Sequence, residues 1–588
     1  MIASPALKAQ VYRRAALLCG TTLLLAVAAT ASPATASGRT FYINFSAGSD
    51  AADGLSPATA WKRSPGDAKA AGKAAAMRLL PGDTVRFAGG VRYRGSIFMK
   101  ASGTRDAPIT FDGSGWGDRR AIFDGSDPLP APTRCRSAAD CLGSPHWQKL
   151  MRTTVPAGTI WSDWLFDRDR AMQISQWPSV KSYWEYDDAA QLATIPRARL
   201  AQLQAGVIAV PGVPAALMTG SPALGLWTST NELFFSTNFQ IGATGIRYVQ
   251  SKFRPYLDRD NKFTIMNAAM QVDGPGKFAM SGKDGVAIVW PGNGLPSLSV
   301  GSKRYGILLA NVSHVKIRGF SFTNFVGDTP EFSPDWQAGG PVNSTSGSEG
   351  LQVTDNAFRS IVNMNKVAAV NLSRAGSTEI ARNSFGWMPF GTAVTVSQSM
   401  GPVVAACNAI SDIGRNGIRY LSVFRGEIVG NRMERLHGIH GAGINLYLDN
   451  RLISVRHNVI LDANFPMTMH GENGRPFFTA DATPPQIRIS GNTMTSANPG
   501  AGAISSWGRN LRNVAITGNT LVNPLYSIRF YGNEVGMTVA NNTLVGDILV
   551  PKTTQLASTG NQVHEPAGNG SLIAQQAKTA TVAAGVCS

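Results

Sequence analysis

Seven histidines occur in the 588 residues, and four of them, His437, His440, His457 and His470, fall in one short stretch. Histidine is the side chain whose charge changes near neutral pH, so proton transfer is sought there first. His470 belongs to a set of residues spaced about one repeat apart, with Arg419, Asn445, Tyr447, Trp507, Arg529 and Tyr531. On a uronate polymer this set reads as a β-elimination site. Arg419 or Arg529 holds the substrate carboxylate by a two-pronged hydrogen bond. A histidine titrating near neutrality takes the C5 proton, and Tyr447 protonates the departing oxygen. Tyr447, Trp507 and Tyr531 offer sugar rings an apolar face with a polar tip. The expected catalytic residues are therefore His470, Tyr447, His440 and Arg419. Arg529, Trp507, Tyr531, Asn445, Arg415, Glu472 and Asp449 are expected to bind substrate.

Two other classes compete. Hydrolysis of a glycosidic bond by paired carboxylates would draw on Asp412, Asp449, Glu472 and Asp462. Asp449 and Glu472 stand one repeat apart, although Asp449-Asn450 equally reads as a turn. A non-catalytic glycan-binding surface protein would use the same aromatic column. A metal held by His437 and His440 with Asp449 or Glu472 has only weak support in the spacing. No metal site and no cofactor are expected, and calcium is unsupported.

The elements that must position these residues follow from a repeat. Asn356, Asn383, Asn408, Asn431, Asn458, Asn492, Asn519, Asn542 and Asn561 recur at intervals of 19 to 34, most clearly in phrases such as Ile380-Ala381-Arg382-Asn383 and Ile428-Val429-Gly430-Asn431. Asn408 and Asn561 fit the phrase more loosely. A period in the twenties signals a solenoid. Within each repeat the apolar residues alternate with period two and are often β-branched, which means short strands rather than helices. Three strands per interval give a right-handed parallel β-helix with coils about 4.8 Å apart. The repeated Asn is expected to take positive φ at a turn and to stack into a ladder of hydrogen-bonded amides. Val394, Ile418, Ile444, Met467, Ile504 and Ile528 form a second series in phase with the first. If they point inward, Thr395, Arg419, Asn445, Thr468, Ser505 and Arg529 point outward. So do Ser397, Leu421, Tyr447, His470, Trp507 and Tyr531.

Composition narrows the class. With 43% hydrophobic and 15% charged residues, the chain is neither disordered nor a coiled coil. The net charge of +17 points to an anionic partner. Lys8, Arg13 and Arg14 precede the apolar run Ala15 to Ala29, and Ala34-Thr35-Ala36 follows it, the layout of an export leader. The run is too short to span a bilayer. Removing a leader with three basic and no acidic residues lowers +17 to +14. A secreted or periplasmic protein is expected, probable partners narrowing to an anionic polysaccharide; no nucleic acid, no membrane span and a monomeric chain are expected. Export permits disulfides. Cys135 and Cys141 are expected to pair, with Cys407 and Cys587 left open.

The segments Phe41-Tyr42-Ile43, Gly48-Ser49-Asp50, Asp53-Gly54-Leu55-Ser56-Pro57 and Ala60-Trp61 lead into Pro81-Gly82-Asp83-Thr84-Val85 and Ala107-Pro108-Ile109-Thr110. This opening resembles the cap and first coils of secreted bacterial β-helix proteins in the pectate-lyase-like superfamily, which includes polysaccharide lyases and glycoside hydrolases. The resemblance implies an all-β fold, a right-handed parallel β-helix with an N-terminal cap and an inserted β module. The paired aspartates and Arg-x-Lys strand of polygalacturonases are missing, as are the clustered aspartates of calcium-dependent pectate lyases. The expected organisation is a leader at 1–36, cap and first coils at 37–129, an inserted β-rich module at 130–300, the main solenoid at 301–566 and a loosely packed tail at 567–588. The expected function is elimination on an acidic polysaccharide.

Overall fold

The computed structural model describes residues 38–185, 188–227, 233–249, 253–327, 340–362, 368–438, 440–471, 486–507 and 511–587. The expected leader lies outside these residues. Among them, 33 strands join one sheet whose pairings are parallel and run from coil to coil. The chain is a parallel β-helix, as the period-two alternation requires.

Register is carried by columns of inward apolar residues. Phe41, Val85, Phe111, Ile317, Val353 and Ile380 are successive partners. Ala405, Ile428, Val455, Ile489, Ile516 and Val539 continue the line. A second column runs Ile97, Ile307, Val342, Val370 and Val394. It continues through Ile418, Ile444, Met467, Ile504 and Ile528. These side chains are buried in one continuous core. Burying each removes apolar surface worth about 1.5–3 kcal/mol from water. Stacked rings reinforce the third face: Phe322, Phe358 and Phe385 lie 5.0 and 4.8 Å apart with nearly parallel planes.

The asparagine ladder is continuous from Asn356 to Asn561. At each step the Oδ1 of one Asn accepts hydrogen bonds from both the backbone N–H and the Nδ2 of the Asn one coil earlier. The Asn408 N–H and Nδ2, for example, both lie 2.9 Å from Asn431 Oδ1, and Asn408 Nδ2 also donates to the Ile380 carbonyl. Asn408 and Asn561 are full members. Positive φ belongs to the residue before each Asn, which corrects the sequence expectation. Asp355, Arg382, Cys407, Gly430, His457, Gly491, Gly518, Asn541 and Gly560 all have φ between 55° and 64°. That residue turns the corner, and the following Asn then fills the bend with its amide. Glycine occupies four of these positions because a Cβ is disfavoured there.

The coils are interrupted once. Ile109–Asp112 pairs directly with Val315–Arg318, and Ala121–Asp124 with Phe320–Thr323. The intervening chain leaves and returns in register. Its exit and entry are tied together where Ser126–Pro128 pairs antiparallel with Leu298–Gly301. Between them lie four small, mostly antiparallel sheets with apolar clusters of their own. One cluster reaches the solenoid through Val326, Val362 and Phe390, with the Trp164 ring 4.8 Å from that of Phe390.

The tail is packed rather than loose. Asn569–Lys578 is a helix that buries Ala577 against Val522 and Val545. Both Cys135–Cys141 and Cys407–Cys587 are disulfides, and the second ties the tail to the ladder corner. No helix among the described residues is long and apolar enough to cross a membrane.

Candidate functional site

Four aromatic side chains form a ladder on the outside of the coils. In strands Ile418–Val429, Ala442–Tyr447, Phe465–His470 and Gly502–Trp507, alternation sends Ile, Leu and Met inward and their neighbours outward. Leu421, Tyr447, His470 and Trp507 are then direct register partners. Ring centroids are 4.9 Å apart from Tyr447 to His470, 5.2 Å from His470 to Trp507 and 5.2 Å from Trp507 to Tyr531. A guanidinium caps each end: Arg419 lies 5.1 Å from the Tyr447 ring centre and Arg529 lies 4.5 Å from that of Tyr531. Phe465 supports the Trp507 ring edge-on at 5.2 Å. Six of the expected residues are thus in one line of contacts.

The parallel outward column beside it is covered. Thr395, Arg419, Asn445, Thr468 and Ser505 are all buried. Asn445 Nδ2 donates to Thr468 Oγ1 at 2.6 Å, which ties two coils together. Tyr531, by contrast, is 41% exposed, while Tyr447, His470, Trp507 and Arg529 are half-buried. One coil before Arg419 and Leu421, the hydroxyls of Thr395 and Ser397 are buried and have no hydrogen-bond partner among the described residues.

Electrostatics changes the chemistry expected of His470. Burial, with a smaller contribution from the positive charge of Arg419, pushes its pKa down to about 4. The imidazole is neutral at neutral pH and only weakly basic. A histidine titrating near neutrality, the premise of the elimination reading, is not what this site contains.

Other expected residues lie elsewhere. His440 and Arg415 sit in the turns that precede Ala442–Tyr447 and Ile418–Val429. His440 precedes the strand that carries Tyr447, in a turn closed by the Gly441 N–H to the Gly438 carbonyl and the Ala442 N–H to the His440 carbonyl. Asp449 is buried and bound by Arg451 through contacts of 2.7 and 3.0 Å. Asp412 is gripped by Arg435 at 2.8 Å through both oxygens, which holds its pKa below the usual carboxylate range. Asp462 is exposed on the face that precedes the aromatic one. Glu472 lies outside the described residues. Phe465 was not singled out by sequence; it lies two residues before the inward Met467, where period-two alternation predicts an inward side chain. Among the described residues no group of three or more His, Cys, Asp or Glu is arranged to hold a metal ion.

No family model matches the chain, and no curated protein matches its sequence. Solved structures do share its fold. One described as a glycoside hydrolase is 12% identical and superposes with a TM-score of 0.50 over 93% of this chain and 99% of its own. XylC in complex with xylose is 14% identical, with a TM-score of 0.41 over 88% of this chain and 69% of its own. A GH136 lacto-N-biosidase from Eubacterium ramulus is 10% identical, with a TM-score of 0.35 over 90% and 68%. At these identities the likeness concerns the fold.

Proposed function

We propose that this chain is a carbohydrate-active enzyme that hydrolyses glycosidic bonds in a polysaccharide lying across the coils. The observation that carries this reading is the Arg419–Tyr447–His470–Trp507–Tyr531–Arg529 line, which offers one ring per coil for stacking and a cation at either end. The end-to-end fold match to a structure described as a glycoside hydrolase supports it. Hydrolysis is favoured over elimination because a base whose conjugate acid has a pKa of about 4 is poorly matched to removing a sugar C5 proton near neutrality. His470 then serves as a neutral hydrogen-bonding platform between Tyr447 and Trp507. Hydrolysis needs two carboxyl groups. Glu472, two residues beyond His470 in sequence, is proposed as the general acid–base member of that pair.

Elimination is the second reading, and one observation favours it. The two arginines at the ends of the ladder suit an acidic polymer. The expected partner is therefore an anionic polysaccharide under both readings. Export of the protein is part of the proposal, supported by two disulfides and the leader-like first 36 residues.

Incubation of the purified full-length protein with neutral and uronate polysaccharides separates the readings. New reducing ends without the absorbance of an unsaturated uronide are expected. Glu472→Gln should lower kcat by about 10²–10⁴-fold. Unsaturated product would replace hydrolysis by elimination. Retained binding with no product from any polymer would leave a glycan-binding protein.

A further inference from the structure

A second concave site lies away from the aromatic ladder, where the inserted sheets meet a corner of the coils. Its volume is about 370 Å³, the lower end of the range for small-molecule sites. Trp184, Asp188, His437, Asp462, Asn464 and Asn498 supply its aromatic and polar lining. It adjoins a groove of about 830 Å³ that shares Asp462 and runs to the C-terminal helix at Ala574 and Lys578.

The floor is an aromatic platform built from distant parts of the chain. Trp184, contributed by the insertion, stacks on His437 with ring centroids 4.4 Å apart and planes 24° apart. Its edge meets Trp387 at 5.7 Å. Burial lowers the His437 pKa, against the opposing charges of Asp462 and Asp412, so the platform is uncharged at neutral pH.

The rim is polar and acidic. Asn498 Nδ2 donates to Asn464 Oδ1, and Asn464 Nδ2 donates to the Gly438 carbonyl at 3.0 Å, which fixes both amides. Nearby Asp412 pairs with Arg435, and Glu434 pairs with Arg435 and Arg432. Among the described residues of the lining, Asp188 and Asp462 are the charged groups and none is a lysine or arginine. The Asp462 backbone N–H donates to Thr495 Oγ1 at 3.2 Å, and its exposed carboxylate carries no ion pair among the described residues. A pyranose on the platform would meet carboxylate and amide groups at its edge, whereas a uronate would bring a like charge toward two carboxylates.

We propose that this pocket is a binding site for a neutral hexopyranose residue, with Trp184 and His437 as the stacking surface and Asp462 as the hydroxyl acceptor. The site is independent of the reaction assigned to the aromatic ladder. It gives this basic protein a subsite of opposite electrostatic preference.

The test uses the full chain in a Trp507→Ala background, which weakens sugar stacking on the ladder. Saturation-transfer NMR is recorded with methyl glucoside, methyl galactoside, methyl mannoside and methyl glucuronide. At least one neutral glycoside should bind, and adding Trp184→Ala or Asp462→Asn should weaken that binding at least ~10-fold while leaving glucuronide binding at the ladder unchanged. Asp462→Asn changes an exposed side chain at constant size, so it remains informative where Trp184→Ala disturbs packing. Absence of neutral-glycoside binding, a loss of glucuronide binding in Asp462→Asn, or full neutral-glycoside affinity in Asp462→Asn overturns the proposal. None of these results bears on turnover by the wild-type ladder, which the product assay reads separately.

Discussion

The asparagine ladder and the aromatic ladder are both built from one side chain per coil, yet they end in opposite states. Asn356 to Asn542 point into the corner and are essentially inaccessible, with each amide spent on the next. Tyr447, His470, Trp507 and Tyr531 point away from the core and pack face and edge against each other while keeping a surface in contact with solvent. The lesson is about saturation. An amide whose donors and acceptor are all satisfied by protein can only stabilise. A ring needs no hydrogen bond to be content in its stack, so its remaining face stays available to a ligand.

That contrast can be broken at either ladder. The largest effect is expected for Asn458→Ala. It removes the acceptor for the Asn431 N–H and Nδ2 and the donor to the Ile428 carbonyl, all at 2.9–3.0 Å. A loss of about 4 kcal/mol in urea unfolding is expected from several buried unsatisfied groups. A loss below about 1 kcal/mol would mean that the amides are not coupled.

Next comes acid. His470 has a folded-state pKa near 4 against an ordinary value of 6.5, so between these limits the unfolded chain binds more protons. Stability should therefore fall as pH drops from about 6.5 to about 4, by on the order of 3 kcal/mol, and be independent of this group above 6.5. His470→Gln should flatten that part of the stability–pH curve. The same slope in both proteins would assign it to other groups.

Trp507→Ala sharpens the comparison from the other side. It should lower kcat/KM on the polysaccharide by roughly 30-fold, about 2 kcal/mol of transition-state binding, while destabilising the fold much less than Asn458→Ala. Equal destabilisation by the two variants would make the aromatic ladder a structural feature. The smallest effect belongs to Arg382→Ala. Its exposed pairing with Asp355 links two coils at 3.0 Å, and such pairs contribute at most about 0.5 kcal/mol. It serves as the calibration for coil-to-coil contacts that neither saturate a buried group nor meet a ligand.

Much of this was legible in the residues because a solenoid is nearly one-dimensional. Side-chain alternation has period two, and each strand pairs in parallel with its counterpart one coil away. The interval between Ile418, Ile444, Met467 and Ile504 therefore suffices to align Tyr447, His470 and Trp507. What the linear order determined, then, is register: which residues share a column and which columns face out.

The tertiary structure alone decided what each column experiences. Arg419 and Asn445 are outward yet buried, His470 is held neutral by its surroundings, and Asp449 is taken by Arg451. Trp184 reaches His437 from an insertion more than two hundred positions earlier in the chain. Burial, pKa and ion pairing are sums over everything nearby in space, including segments remote in sequence. No local pattern encodes such a sum, and for that reason the chemistry of the site had to wait for the fold.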